Sequence, residues 1–233
     1  MTTIASNLQA VRAAIEDSAL RSGRRSDEVT LLAVSKTFLP DHLREAYQAG
    51  QHCFAENYVQ EALDKMAALK ALPIEWHFIG PIQSNKTHAI ATNFAWVHSV
   101  DRLKIAERLS EQRPSQLPPL QICLQVNISN ETSKSGVVPS EVEELAYAVA
   151  KLPNLKLRGL MAIPALSVDV NEQRASFASL HHLRDLLNQR GLQLDTLSMG
   201  MSHDFSAAIA EGATIVRIGT AIFGSRIDLQ ESV

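Results

Sequence analysis

The sequence predicts a single (β/α)8 barrel of the TIM type with an extra helix at its N-terminus. Three observations carry that prediction. Eight short apolar, β-branched or aromatic runs alternate with helical patterns along 233 residues, no linker-like stretch divides them, and no dinucleotide-binding glycine fingerprint occurs. Strict β-then-α alternation calls for right-handed crossovers and a parallel sheet. An open doubly wound sheet alternates in the same way, but eight strands in so short a chain favour closure. One-domain α/β barrels commonly run to this length, so the domain is expected to span residues 1–233.

Taken in order, Ile4, Leu8, Val11 and Ile15 recur at helical spacing with Gly23 as a stop, which gives an amphipathic helix before the first strand. The candidate strands are 31–36, 52–56, 75–80, 94–100, 120–127, 155–163, 194–200 and 213–219. Between them, Val142, Leu145, Ala146 and Val149 share one helical face, and Phe177, Leu180, Arg184 and Leu187 share a mixed one. The pair Arg24-Arg25 reads as a solvated helix end.

Composition narrows the partners. With 22 basic against 25 acidic residues, a net charge of −3 gives no reason to expect nucleic acid or an anionic membrane, so a small molecule is the default. Cys53 and Cys123 lie far apart inside apolar runs, which suits buried thiols in a reducing compartment. The N-terminus has no basic region followed by an apolar stretch, and no apolar run approaches the ~20 residues of a membrane span. A cytoplasmic location is expected. The eight histidines are scattered or, like His181 and His182, adjacent on one helix, so no metal site is expected.

In such barrels the C-terminal strand ends and their loops build the active site. Lys36 closes the first apolar run, where a strand emerges from the core. Desolvation lowers a lysine pKa and raises the neutral fraction able to attack an aldehyde, although a lone strand-end lysine can equally snorkel into solvent. Arg217 sits in an otherwise apolar strand, on the face of Ile215 and Gly219; a structural ion pair or a bound anion or aromatic nitrogen would each satisfy it. Glycine turns follow the last two strands, at Gly200 beside Met201 and Ser202 and at Gly219 beside Thr220. Loops at these two places frequently form the phosphate site of barrels. His77, mid-strand, reads as a hydrogen-bonded interior histidine rather than a general base.

The stretches LLAVSK at 31–36, ENYVQE at 56–61, WHFIGPIQSNK at 76–86, GLMAIPA at 159–165, LSMGMS at 197–202 and VRIGTAIFGSR at 216–226 span nearly the whole chain. Together they resemble the pyridoxal-phosphate-binding proteins of the vitamin B6 homeostasis group, related to the N-terminal barrel of alanine racemase. The resemblance implies pyridoxal 5′-phosphate (PLP) as cofactor, with Lys36 forming the internal aldimine, Arg217 facing the pyridine nitrogen and Met201, Ser202, Gly219 and Thr220 holding the phosphate. Asn57 matches the family's asparagine near the cofactor. Two positions depart from the family pattern. Ala55 replaces the usual glycine before Glu56 and Asn57, at the cost of a methyl group, and His203 stands where an acidic residue commonly precedes Asp204, which removes a negative charge near the phosphate turn.

A racemase of the related barrel class uses a lysine on one face of its substrate and a tyrosine from a second domain of the partner subunit on the other. The chain continues only nine residues past Gly224, and its three tyrosines, Tyr47, Tyr58 and Tyr147, lie on outer helices or within the Glu56-Asn57-Tyr58 motif. Guanidinium donates only and cannot accept a pyridinium proton, so the ring stays a poorer electron sink. The expected role is therefore a non-catalytic monomer that holds, buffers or delivers PLP, with apo PLP-enzymes as recipients. A PLP-dependent racemase or lyase of narrow specificity is the alternative, and a phosphate-binding barrel enzyme without pyridoxal a third. Finally, the polar segment 127–136 exceeds the usual βα loop length, and it is read either as a lid carrying Lys134 over the cofactor mouth or as a plain tether.

Overall fold

The computed structural model describes residues 3–129, 131 and 134–224. Eight parallel strands close on themselves in sequence order, with the last paired to the first. They are β1 (Thr30–Val34), β2 (Cys53–Glu56), β3 (Glu75–Phe78), β4 (Trp96–Val100), β5 (Leu120–Val126), β6 (Leu155–Ala162), β7 (Thr196–Ser198) and β8 (Ile215–Ile218). All eight predicted runs form strands, with ends trimmed where side chains leave the ladder for the loops. The helices are α1 (Ile4–Arg21), α2 (Pro40–Gln48), α3 (Val59–Ala68), α4 (Thr87–Asn93), α5 (Leu103–Gln112), α6 (Val142–Ala150), α7 (Val170–Gln189), α8 (Phe205–Ala210) and α9 (Thr220–Phe223).

The period-two alternation of strand side chains divides the apolar core into two layers. Leu32, Val34, Ala55, Trp96, Cys123, Met161 and Ile215 form a cluster of strand residues that fills the lumen. Their neighbours along the strands, among them Ala33, Phe54, Phe78, Val97, Leu124 and Val216, pack outward in a larger cluster against helix residues such as Leu8, Leu43, Ile105 and Phe177. The face predicted for α6 is buried as expected, and on α7 Phe177, Leu180 and Leu187 are buried.

The extra N-terminal helix has a structural reason. At four residues α9 is too short to cover its sector of the barrel, and α1 packs against α2, α8 and α9 to cover it instead. Asn7 Nδ2 donates to the Ile222 carbonyl at 2.9 Å, and Ser18 and Ser206 share a hydrogen bond of 2.8 Å. Arg24 is not the solvated helix end that the sequence suggested: its Nη1 donates to the carbonyls of Ile209 at 3.0 Å and Ala213 at 2.8 Å, pinning the end of α1 to the end of α8. Arg25 does point outward and pairs with Asp27.

Cys123 lies wholly in the lumen and burial pushes its thiol up to about 12; Cys53 is half-buried and is pushed up to about 11 by burial first and by Glu75 second. Among the described residues no helix is long and apolar enough to cross a membrane.

Gly159 marks the tightest approach between strands. A Cβ there would meet the Thr196 carbonyl oxygen at 1.8 Å, and backbone cannot give way as a flexible side chain would. Gly159→Ala should therefore destabilise the fold by about 3 kcal/mol, the upper range for overpacking. Chemical denaturation checks this, and a change below about 0.5 kcal/mol would mean that β6 and β7 separate easily.

Candidate functional site

At the carboxyl ends of the strands lies a cavity of about 440 Å³. Lys36, Asn57, Met201, Ser202, Arg217, Gly219 and Thr220 all line it, together with Val34, Ile79, Gly80, Pro81, Ile163 and His203. Residues from both ends of the chain thus meet in one place. A larger hollow of about 540 Å³ opens at the opposite end of the barrel beside Glu75, Trp96, Arg113 and Arg158. Its cations are already committed: Arg158 chelates Asp195 and Arg113 donates to the carbonyls of Ala91 and Phe94, so the upper cavity is the better candidate.

Lys36 stands two residues past the end of β1, half-buried, in a turn whose next residue, Thr37, has φ of 71°. A β-branched residue in the left-handed region is strained and persists only where its surroundings over-determine it. The surroundings are visible. The Glu61 carboxylate of α3 accepts from the Thr37 backbone N–H, and Lys65 of the same helix donates to Glu61 at 2.6 Å, to Glu56 at 2.7 Å and to the Ser35 carbonyl at 2.7 Å. Ser35 Oγ donates to the same Glu56 oxygen at 2.6 Å. Burial raises the Glu56 carboxyl above its ordinary range, and Lys65 opposes that rise. One buried cation thus bridges two carboxylates and a carbonyl, and holds the residues on either side of Lys36.

Arg217 is 4% exposed and lies in β8 on the lumen face with Ile215, as its period predicted. Nη1 donates to Ser198 O at 2.6 Å and Oγ at 2.9 Å, and Nη2 donates to Ala162 O at 2.9 Å. Burial brings its guanidinium down to about 10, with Asp204 acting in the opposite direction. Among the described residues it makes no ion pair, so the structural salt bridge considered from the sequence is not what satisfies it.

The first glycine turn is built around Asp204, which caps α8. Its carboxylate accepts the Met201 N–H at 2.6 Å, so Met201 lines the cavity with that donor already engaged, and Ser202 is the hydroxyl that the turn presents there. Gly200 has φ of 94°, and a Cβ on it would meet Ala208 Cβ at 2.7 Å, so no other residue lets the turn lie so close to α8. His203, 47% exposed, lies 3.6 Å from Asp204. The second turn brings Gly219 and the exposed Thr220 to the same wall. Opposite, Asn57 Oδ1 is shielded from water with no hydrogen-bond partner in the protein. A buried polar atom without a partner costs roughly 1–3 kcal/mol, which a ligand donor would recover.

In the long connection after β5, residues 130, 132 and 133 lie outside the described residues. The rest is tied at its base: Val137 bridges to Val126, Asn127 Nδ2 donates to Glu131 O at 2.8 Å, and Ser129 Oγ accepts from Ala165 N at 2.9 Å. Lys134 pairs with Glu131 at 3.0 Å and lines a small adjoining cavity with Ile79, Pro81 and Ile163, all three of which also line the main one. Lys134 is therefore a neighbour of the mouth.

Sequence reading missed the residues behind the site. Ser198 and His98 lie on other strands than the residues they hold, and although Glu61 and Lys65 stand four apart on α3, no spacing along the chain brings that pair to Glu56 and Ser35. Nor does spacing show that Cys53, Glu75 and His77 place ligand atoms within 4.8 Å of one another, the one such group among the described residues.

The fold and the cavity define a small-ligand-binding (β/α)8 barrel, with an amine, a buried guanidinium and two glycine turns converging at its carboxyl end. The chain belongs to the alanine racemase N-terminal domain family, whose model matches residues 4–227, and within it to the pyridoxal phosphate homeostasis proteins. It is 61% identical over 226 residues to the pyridoxal phosphate homeostasis protein of Pseudomonas aeruginosa, with 97% of each chain covered, and 52% identical over 229 residues to that of Escherichia coli, covering 97% of this chain and 98% of the relative. The structure of PipY from Synechococcus elongatus with PLP bound is similar at a TM-score of 0.84 and 38% identity, covering 95% of this chain and 100% of that one. The alanine racemase of Corynebacterium glutamicum, at 17% identity and a TM-score of 0.68 with 61% of that chain covered, shares the fold.

Replacing Lys65 with Met should leave two carboxylates without their cation. A loss of about 3–5 kcal/mol is expected, as for other broken buried pairs, together with faster proteolysis at the 35–37 turn. Thermal and urea unfolding read the first, and limited digestion the second. A variant as stable as the parent would show that the clamp around Lys36 contributes nothing.

Proposed function

We propose that this chain is a PLP-binding barrel, a single domain over residues 1–233, that serves vitamin B6 homeostasis in the cytoplasm by holding the cofactor as a Schiff base on Lys36 and delivering it to apo PLP-enzymes. The observation that carries the reading is the convergence of Lys36, Arg217 and both glycine turns on one cavity. PLP needs an amine for its aldehyde, a partner for its ring nitrogen and donors for its phosphate, and this cavity offers all three. The orphaned Asn57 Oδ1 marks a further place where a ligand would be welcomed. The solved relative with PLP bound supports the same assignment. Ser202, Gly219 and Thr220 are assigned to the phosphate, with Met201 as wall. The protein is taken to act as a monomer.

When bound, PLP supplies an electrophilic carbonyl and an electron-withdrawing ring. The residues here favour retention over catalysis. Arg217 can donate to a neutral ring nitrogen but cannot accept a proton from a pyridinium, so the ring is held as a weak electron sink. No tyrosine is among the residues lining the cavity; Tyr58, beside Asn57 in sequence, is 59% exposed and lines an adjoining hollow instead. A racemase or lyase of narrow specificity is the competing reading, and α-proton exchange into deuterated water across the amino acids separates the two, since a carrier exchanges none at a useful rate.

Borohydride reduction of the PLP-loaded protein followed by peptide mass mapping should place the label stoichiometrically on Lys36, with Lys86 and Lys134 unmodified. A stoichiometric label elsewhere refutes the assignment.

Ser202→Ala and Thr220→Ala should each lower PLP affinity roughly tenfold without unfolding the barrel, given about 1.5–3 kcal/mol for a hydrogen bond to a charged phosphate. Unchanged affinity in the double variant would move the phosphate to another wall.

A further inference from the structure

The lumen below the cavity holds an unbroken line of hydrogen bonds from one face of the barrel to the other. Arg217 Nη1 donates to Ser198 Oγ at 2.9 Å, Ser198 Oγ lies 2.8 Å from His98 Nδ1, His98 Nε2 lies 2.9 Å from His77 Nδ1, and His77 Nε2 lies 2.9 Å from Glu75 Oε1. Ser198 and His98 have no exposed surface and His77 has 1%, whereas the Glu75 side chain is 48% exposed at the start of β3. Trp96 stacks on His77 at 5.5 Å and fixes the plane of its ring.

The two ends dictate the direction of every proton in between. Guanidinium only donates and an ionised carboxylate only accepts. Ser198 therefore accepts from Arg217 and sends its own hydrogen to His98 Nδ1, His98 carries its proton on Nε2 and donates to His77 Nδ1, and His77 carries its proton on Nε2 and donates to Glu75. In this direction every donor has an acceptor with both rings neutral. The reverse direction would set a bare His77 nitrogen against the Glu75 carboxylate. Burial holds His77 below its ordinary value against the pull of Glu75, and holds His98 well below it, with His77 and Arg217 adding to the effect.

We propose that Glu75 is a positioning residue for the cofactor site: from the opposite face of the barrel it sets the direction of the His77–His98–Ser198 chain and so keeps the Ser198 hydrogen on His98 Nδ1, which orients the hydroxyl lone pairs toward Arg217. The effect on PLP rests on the reading of Arg217 given above; the direction of the chain does not. The same logic disfavours Cys53, Glu75 and His77 as a resident metal site, because a metal on His77 Nε2 would need the other tautomer.

Histidine ¹⁵N spectra of the PLP-free protein test the chain directly. The parent should show both His77 and His98 protonated on Nε2. Glu75→Gln keeps an acceptor and should leave both tautomers and the Arg217 guanidinium resonances in place. Glu75→Leu removes it and should shift both rings toward Nδ1 protonation, move the Arg217 resonances, change the absorption band of bound PLP and weaken its binding roughly tenfold, the size of one net hydrogen bond. Unchanged tautomers in Glu75→Leu overturn the proposal, as do altered tautomers with unmoved Arg217 resonances, or a parent with His77 protonated on Nδ1. If the Arg217 resonances move while PLP binding does not, the positioning role at the cofactor is overturned, and it is the place of Arg217 at the ring that has failed. Ser198→Ala cuts the chain between its ends and should reproduce the Arg217 and PLP changes of Glu75→Leu.

Discussion

The pairing of β1 with β8 is the interaction on which the site depends. Leu32 aligns with Arg217 and Ala33 with Ile218, so closing the barrel carries the first strand's exit beside the last strand's exit. Lys36 and the Gly219 turn are close only because of that register. A shift by one residue would rotate Arg217 from the lumen into the helix layer and Val216 into the lumen. Closure also removes sheet edges, so the placement is maintained by backbone bonds on both sides of every strand. The helix α1 reinforces this seam from outside, through contacts to α2, α8 and α9 and through Arg24 at the far end of α8.

Within that frame two buried cations do different things. Lys65 is surrounded by opposite charge, and its network is a structural clamp whose product is a strained Thr37 and a defined exit for Lys36. Arg217 is surrounded by neutral acceptors instead. A guanidinium beside a carboxylate would have most of its charge cancelled before any ligand arrived; one held by carbonyls and a hydroxyl keeps its charge for the cavity. The cost is desolvation, seen in the lowered pKa of about 10. That cost is tolerable because each bond to it is charge-assisted and so stronger than a neutral one.

The fold was legible because a barrel repeats one simple signal eight times, and an error of two residues at one strand end does not change the topology. β7, with three residues, shows the limit: the run 194–200 mixes Leu194, Leu197 and Met199 with Asp195, Thr196 and Ser198, and only its middle stays in the ladder because Gly200 turns the backbone toward α8. The residues lining the cavity were legible too, since Lys36, Arg217 and the glycine turns sit at strand ends, where the period and the architecture together say what faces inward. Residues that act through others were not. Lys65 looks like an ordinary helix lysine, and Arg24 like a solvated one, because burial of a long polar side chain depends on neighbours brought from elsewhere in the chain. The strand pattern makes His77 an interior histidine, but its hydrogen-bonding role depends on His98 and Ser198 on two other strands.

The neutral chain beneath Arg217 also bears on which protons the lumen can bring to the cavity. Strong carbanion chemistry on a pyridine ring needs a proton at the ring nitrogen, and that proton must come from an acid or be held by a base. Arg217 is neither. The titratable groups hydrogen-bonded in line behind it are His98 and His77, whose cationic forms burial disfavours, and His98 Nδ1 is already engaged with the Ser198 hydroxyl. A proton entering at Glu75 would have to place a cation on a buried histidine next to a buried guanidinium, an arrangement that desolvation and like charge both oppose. The lumen therefore delivers orientation to Arg217, and a proton passed along it would have to cross two buried histidines.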